Sequence, residues 1–423
     1  MKITTSSEHI QAFGGLNFVS NEFNSLGLSQ LIDNQLGSRG AFAQFSYSDI
    51  IKNLWLLAFA GGDCAEDIQT HLKSELISTL STNVCSADTL LRAQKELVTS
   101  TKKVFSKNNI ENQVNTNSNL NNLNIKMLKS FNVFDSSKYY DLDFDNQFIP
   151  TEKYDSKKSY KMKNGYFPSV ASIGKNTVYF ENRNGNSNVK FQQAETLQKI
   201  FNLLKDNDIK IGRARMDCGS FTKEVINIVK ENVKSFYIRA QKCENLTQLI
   251  KDQKDWKTIE INLKKIEVCS INYQPFNEET IYRYVVSREA NTNGQIDVFQ
   301  GDSFIYRAII TNDLITSDKE IIEFYNNRGA SEKIFDELNN DFLWKNLPFS
   351  FLNENTVFMM IMAMCRNFYL YLIYKLSQKI DFVQNNFRLK KFIFRFIVVP
   401  YKWIKKGGQK TLKLYSKKPY HLI

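Results

Sequence analysis

The spacing of apolar and polar positions changes character along the chain. Up to about residue 130 it is helical. SDIIKNLWLLAFA, from Ser48 to Ala60, sets a serine before an apolar run, and SADTLLRAQKELVTS, from Ser86, repeats the device with Leu90, Leu91 and Leu97 on one side. GGDCAEDIQTHL between them opens on a Gly-Gly break and an acidic first turn. A helix, a break and a shorter helix fit a helix-turn-helix module and a plain helical bundle equally well. The stretch from Asn108 to Met127, NNIENQVNTNSNLNNLNIKM, is so rich in asparagine that it reads as a polar, disordered connector and a first boundary.

Beyond it, strands and helices succeed one another. KYYDLDFDNQFI (Lys138 to Ile149) alternates strictly, while GYFPSVASIG and NTVYFENRNG are β-rich and joined at a Gly-Lys-Asn turn. FQQAETLQKIFNLLKDN carries a helical period. IKIGRARMD (Ile209 to Asp217) is a strand, followed by a helix at FTKEVINIVKEN and a strand at KSFYIRA. This order predicts a mixed sheet flanked by helices. From 241 to 304 the helical signal fades into antiparallel strands, a β-rich insertion. A strand returns at DSFIYRAIITND, and a helix capped by Ser317 runs through YNNRGASEKIFDELNND. The apolar segment from Thr356 to Leu376 has Arg366 and Asn367 near its middle, where a membrane span would meet its highest cost, so a buried helix is expected.

Composition adds a fold-forming chain of 423 residues, 42% apolar and 13% aromatic. Six scattered cysteines without C-x-x-C and three distant histidines argue against a zinc knuckle and a disulfide framework. The N-terminus lacks the apolar core of a signal peptide, so a reducing cytoplasm is the expected setting. Net charge is +12, and eleven basic residues with no acid lie between Asn386 and Ile423. Lys402, Lys405 and Lys406 are among them, interleaved with rings such as Tyr401, Trp403 and Tyr415. That mixture suits phosphate contact and base stacking; a solvated tail or anionic lipid are the plainer alternatives.

The acids form the candidate chemistry. On a strand, Asp141, Asp143 and Asp145 share one face opposite Tyr140, Leu142 and Phe144, with neighbours roughly 7 Å apart. Three like charges repel unless a cation neutralises them. Asp217 ends IKIGRARMD before a Cys-Gly-Ser turn, at a strand's carboxyl end where open α/β sheets hold ligands. On a wheel of about 100° per residue, Arg328, Glu332, Asp336 and Asn339 all fall within roughly 60° of Tyr325. A ring, a guanidinium and a carboxylate along one stripe suit a helix beside a phosphodiester.

With these residues in place the chain resembles the DDE transposases of bacterial insertion sequences. In one large group of them the catalytic glutamate sits in a pattern of Tyr, two residues, Arg, three residues, Glu, six residues, Lys. Tyr325, Arg328 and Glu332 match it; Asn339 stands where the lysine is expected, with Lys333 and Lys345 as nearby replacements. The resemblance implies an RNase H-like mixed sheet with flanking helices, interrupted by a β-rich insertion and preceded by a helical domain. It implies a catalytic trio of Asp145, Asp217 and Glu332, with Asp143 as the alternative first acid. It further implies two Mg²⁺ ions with Mn²⁺ as a substitute, hydrolysis at transposon ends, and transesterification into target DNA. Tyr325, Arg328, Asn339, Lys333, Lys402, Lys405 and Lys406 would contact double-stranded DNA, on which two copies would pair, with no membrane involved. The expected segments are 1–107 for end binding, 108–130 as connector, 131–240 and 305–380 as catalytic core, 241–304 as insertion and 381–423 as basic segment.

Overall fold

Helices start where the sequence supplies a cap. The computed structural model describes residues 1, 3–4, 8–106, 109–276, 279–290 and 304–422. Its N-terminal part holds α1 (Leu16–Ser25), α2 (Leu28–Leu36), α3 (Tyr47–Phe59), the short α4 (Asp67–Thr70) and α5 (Lys73–Ser78), and α6 (Ala87–Lys95). Ser86 caps α6 as expected, but α3 begins earlier than the apolar run suggests. Ser46 and Asp49 form a reciprocal capping box there, and Ser48 instead donates to Asp33 at 2.8 Å.

One eleven-stranded sheet organises the rest. Its members are β1 (Lys102–Phe105), β2 (Glu111–Asn115), β3 (Tyr139–Asn146), β7 (Ser169–Ile173), β8 (Asn176–Arg183), β9 (Lys210–Met216), β10 (Ser235–Arg239), β11 (Lys257–Ile261), β12 (Lys264–Tyr273), β13 (Tyr282–Ala290) and β14 (Phe304–Thr311). Between β3 and β7 the chain makes a small separate sheet of β4 (Ile149–Pro150), β5 (Lys157–Lys158) and β6 (Asn164–Tyr166). The large sheet runs β1-β2-β8-β7-β3-β9-β10-β14-β13-β12-β11. β3, β9 and β10 are parallel at its centre, and the other pairs are antiparallel. The mixed sheet flanked by helices is thus the observed architecture. The expected insertion is β-rich, but it continues the central sheet beyond β14 rather than standing apart. It also contains a helix, α10 (Glu244–Lys251), which buries Leu246 and Ile250.

The asparagine-rich stretch corrects the sequence reading. Instead of a loose connector it forms β2 and α7 (Ser118–Ser130). β2 pairs with β8 only at residues 182 and 183, leaving the earlier edge of β8 without a strand partner. Asn121 covers it, accepting from the Phe180 N–H at 2.9 Å and donating to the Phe180 carbonyl at 3.0 Å. Asn124 donates to the Thr177 carbonyl at 2.8 Å. A buried amide reproduces a peptide group, so asparagine here finishes a sheet edge from a helix.

The helices α8 (Gln193–Lys205) and α9 (Lys223–Asn232) follow β8 and β9. α11 (Asp318–Asn326), capped by Ser317 as expected, runs through a single 3₁₀ turn, Asn327–Gly329, into α12 (Ala330–Asn340). The 26-residue α13 (Leu352–Ser377) is the one described helix long and apolar enough to cross a membrane, and 89% of its apolar window is buried inside the protein. It passes under β8 and beneath the N-terminal helices: Trp55 stacks on Phe368 at 5.3 Å and its indole N–H reaches the Ile361 carbonyl at 3.1 Å. The polar pair within it is fully used. Arg366 bridges Glu337 at 2.6 Å, and Asn367 bonds both backbone groups of Thr177. Residues of α1 to α3, of the sheet and of α13 belong to one apolar cluster, so the N-terminal helices are packed onto the core directly. Finally α14 (Leu389–Phe392) precedes a hairpin of β15 (Tyr401–Lys406) and β16 (Gln409–Leu414).

Candidate active site

The strand alternation places its residues as expected: Leu142 and Phe144 are buried in the core, and the aspartates occupy the other face of β3. The neighbouring strand β9 runs parallel, with Asp141 opposite Arg213 and Asp143 opposite Arg215. Side chains two apart share a face, so the aspartates of one strand meet the arginines of the other. Asp141 takes a two-pronged bond from Arg213, both contacts 2.7 Å, and Asp143 takes one from Arg215 at 2.6 and 2.7 Å. The ring of Phe324, on α11, lies 3.9 Å from the Arg213 guanidinium and 4.4 Å from that of Arg215. Two ion pairs and an aromatic lid neutralise this part of the face.

One step past the last registered pair, Phe144 with Met216, the pattern breaks. Asp145 and Asp217 follow at the carboxyl ends of the two strands, and here an acid faces an acid. Asp217 turns one oxygen back to the Gly219 N–H at 2.9 Å, capping the short turn after β9. Asp145 accepts from the Asn146 N–H at 2.9 Å and from Arg328, which reaches in from the 3₁₀ turn between α11 and α12, at 2.9 Å. Burial pushes the Asp145 carboxyl up to about 6; Arg328 works against that rise and the charge of Asp217 adds to it. Asp143, buried with its arginine, is also raised, by burial first, with Arg215 opposing.

These contacts correct several expectations. Asp143 has both oxygens bonded to Arg215, whereas Asp145 takes only one contact from an arginine. Tyr325 is 5% exposed, donates to the Met216 carbonyl at 3.0 Å and lies against Arg239, so it holds the end of β9 and is turned away from solvent. Arg328 is paired with Asp145 and not projected toward solvent. The 3₁₀ turn interrupts the helix, so a single wheel from 325 to 339 does not apply. Asp336 accordingly faces away and pairs with Arg388 of the C-terminal segment. Asn339 donates to Gln147 at 3.3 Å, tying α12 to the chain just after β3.

Glu332 lies in the first turn of α12, exposed, as is Lys333. It does not close on the aspartates: among the described residues, the only trio of metal-ligating side chains within 4.8 Å of one another is Asp63, Cys64 and Asp67, in a surface loop where Asp67 caps its own turn. Lys345 is occupied by Asn340 at 2.7 Å. At the other end, Lys402 is 3.6 Å from Glu8 and Lys405 is exposed; the side chain of Lys406 lies outside the described residues. Arg215, Phe324 and Arg239 were not foreseen. The signal was present, since Arg213, Arg215 and Asp217 alternate with the same parity as Asp141, Asp143 and Asp145, but only the register reveals which acid meets which base.

The arrangement is two carboxylates meeting at the carboxyl ends of two central parallel strands, with a guanidinium beside one of them and a third carboxylate on the following helix. All the candidate donors are oxygens, which suits a hard divalent cation. The chain matches the solved cryo-EM structure of the piggyBac transposase synaptic complex with hairpin DNA at 12% identity and a TM-score of 0.44, over 90% of this chain and 78% of that one. No curated protein matches it in sequence. The model of the family "Transposase DDE domain group 1" matches residues 1–423, and the chain belongs to that DDE transposase family.

Proposed function

We propose that this protein binds the terminal inverted repeats of an insertion sequence, cleaves its ends by metal-dependent phosphodiester hydrolysis and joins them to target DNA by transesterification. The observation that carries the reading is the abutment of Asp145 and Asp217. A buried carboxyl raised to about 6 beside a second acid is a poor structural arrangement and a good cation site. Asp145 and Asp217 would hold divalent ions, Mg²⁺ by preference, with Glu332 completing the set from α12. Divalent ions held by these residues would supply activation of water or a DNA 3′-hydroxyl and relief of charge on the leaving oxygen. Arg328 would hold Asp145 in place until DNA binds and would then turn to a DNA phosphate. Tyr325 and Asn339 fix the strand ends against α11 and α12.

The N-terminal helices would read the repeats, and the basic hairpin would add affinity that ignores sequence. In that hairpin Lys402 lies opposite Lys413 and Lys405 opposite Lys410, like charges whose repulsion a phosphate relieves. Its base is anchored, with the Trp403 indole bonded to the Ser78 carbonyl at 2.7 Å and Tyr401 buried. Two copies would meet on the DNA, in the cytoplasm at the nucleoid.

The test is strand cleavage of a DNA fragment carrying the element's ends. D145N, D217N and E332Q should each abolish it with Mg²⁺ present, and EDTA should abolish it in the wild type. Cleavage at the wild-type rate by any one variant would remove that residue from the assignment. The second reading, a catalytically inactive DNA-binding descendant of a transposase, has Asn339 in its favour. It requires DNA binding without cleavage in both the Mg²⁺ and EDTA arms.

A further inference from the structure

The connection from β3 to β7 leaves the sheet at the same edge as Asp145 and carries a second concentration of positive charge. Residues 151–163 contain Lys153, Lys157, Lys158, Lys161 and Lys163 against two acids. Both acids are spent inside the segment's own scaffold. Glu152 accepts from Asn164 at 2.8 Å, while Asp155 accepts from the Tyr166 hydroxyl at 2.6 Å and from the Leu352 N–H at 2.7 Å. Lys157, Lys158, Lys161 and Lys163 are exposed, and none forms an ion pair among the described residues. Three large apolar groups stand out beside them: Tyr154 at 82% exposure, Tyr160 at 75% and Met162 at 71%. Lys161 sits 5.7 Å from the Tyr160 ring, and Tyr154 meets the partly exposed Phe351 edge-on at 5.5 Å.

The arm is built, not loose. Its strands β4, β6 and β5 pair in register, and Tyr166 at its root is fully buried. A Cβ at Gly165 would meet the Ile149 carbonyl oxygen at 2.3 Å, and one at Gly185 the Lys157 carbonyl oxygen at 2.4 Å, so two glycines let three backbones close at the root. Gln147, just before the arm, is the residue that Asn339 of α12 grips. The arm is therefore rigidly fixed to the strand that carries Asp145.

Lysines alone would suit any phosphate backbone, but exposed rings add a choice. Bases in a duplex hide their faces, whereas unpaired bases offer them for stacking. We propose that the 151–164 arm binds single-stranded DNA next to the strand break, with lysine contacts to phosphates and with Tyr154 and Tyr160 stacking on unpaired bases. The inference rests on the strand-cleavage reading only for the position of that break.

Binding of the full chain to oligothymidylate and to a blunt duplex, titrated with salt in EDTA, tests the arm without any chemistry. For K157Q/K158Q/K161Q/K163Q the slope of log affinity against log salt on the single strand should fall by about 3. Y154A and Y160A should each weaken single-strand binding roughly tenfold and leave the duplex unaffected. All these substitutions are at exposed positions, and unchanged thermal melts would confirm folding. An unchanged salt slope, unchanged single-strand affinity of the tyrosine variants, or an equal loss on duplex would each overturn the proposal. Because no metal is present, the result is independent of whether D145N or E332Q cleaves.

Discussion

Asp145→Asn should stabilise the metal-free protein at neutral pH while destroying its cleavage of DNA ends. The carboxyl stands at about 6 in the folded state against 3.8 for a free aspartate. An acid raised on folding contributes fully below its unfolded value, and that stability is lost as pH rises through the folded value. Two units or so of shift correspond to about 3 kcal/mol lost by pH 7, and to only about 0.5 kcal/mol at pH 4. Asparagine keeps the shape and an acceptor for Arg328 but carries no charge, so the gain should appear between pH 4 and 6 and then level off. Urea denaturation in EDTA at several pH values measures it directly. Asp143→Ala supplies the contrast, because it strands the buried Arg215 guanidinium and should cost about 3 to 5 kcal/mol. If D145N were destabilised at pH 7 to the same degree as D143A, Asp145 would be a structural partner of Arg328 and the argument for a cation site would fail. With a cation site at Asp145, added Mg²⁺ should raise the midpoint of the wild type and leave that of D145N unmoved.

Glu332→Gln should leave stability within about 0.5 kcal/mol of wild type, since the side chain is exposed, and yet remove strand cleavage; calorimetry beside a nicking assay separates the two effects. Asn121→Ala uncovers the N–H and carbonyl of Phe180 together and should cost roughly 2 to 4 kcal/mol in a denaturant titration. Burial alone would raise the Glu181 carboxyl, but Arg183 and Lys199 outweigh it and hold it at about 2. Its stabilising effect is present above about 4.5 and is lost as pH falls toward 2, so Glu181→Gln should lower the melting temperature at pH 7 and flatten the acid limb of the melting curve.

The central strands were legible because β3 and β9 combine a period of two with apolar flanks, and because a strand's carboxyl end is a general place for chemistry. The local pattern therefore offers Asp141, Asp143, Asp145 and Asp217 as a group, and the resemblance implies Asp145 and Asp217 among them. What the pattern did not contain was register. Nothing in DLDFD or RARMD says that Asp143 meets Arg215 and that Asp145 meets no arginine of β9, and that offset separates structural acids from candidate ligands. Arg328 and Tyr325 lie close to the strand ends that carry the acids, but a continuous wheel hid the 3₁₀ turn that sends one inward to Asp145 and the other beneath β9. The asparagine-rich stretch misled for a different reason. Composition measures how little apolar area a segment can bury, and it is blind to an amide that completes the backbone of another strand. The lysine arm after β3 is not legible in the sequence because Glu152 and Asp155 divide its charge, and only the structure shows both acids spent on Asn164, Tyr166 and Leu352.

The two ends of the eleven-stranded sheet bear on how copies of the protein can assemble. Its outermost strands are short, and each opens on lysine: Lys102 and Lys103 on β1, Lys257 on β11. Short, charged borders of this kind resist the addition of a further strand. Extension of the sheet's hydrogen-bond ladder by a second copy is thereby disfavoured at both edges. Were two copies to pair as proposed, helical surfaces and shared nucleic acid would be the remaining means, and their association would then respond to DNA and to salt.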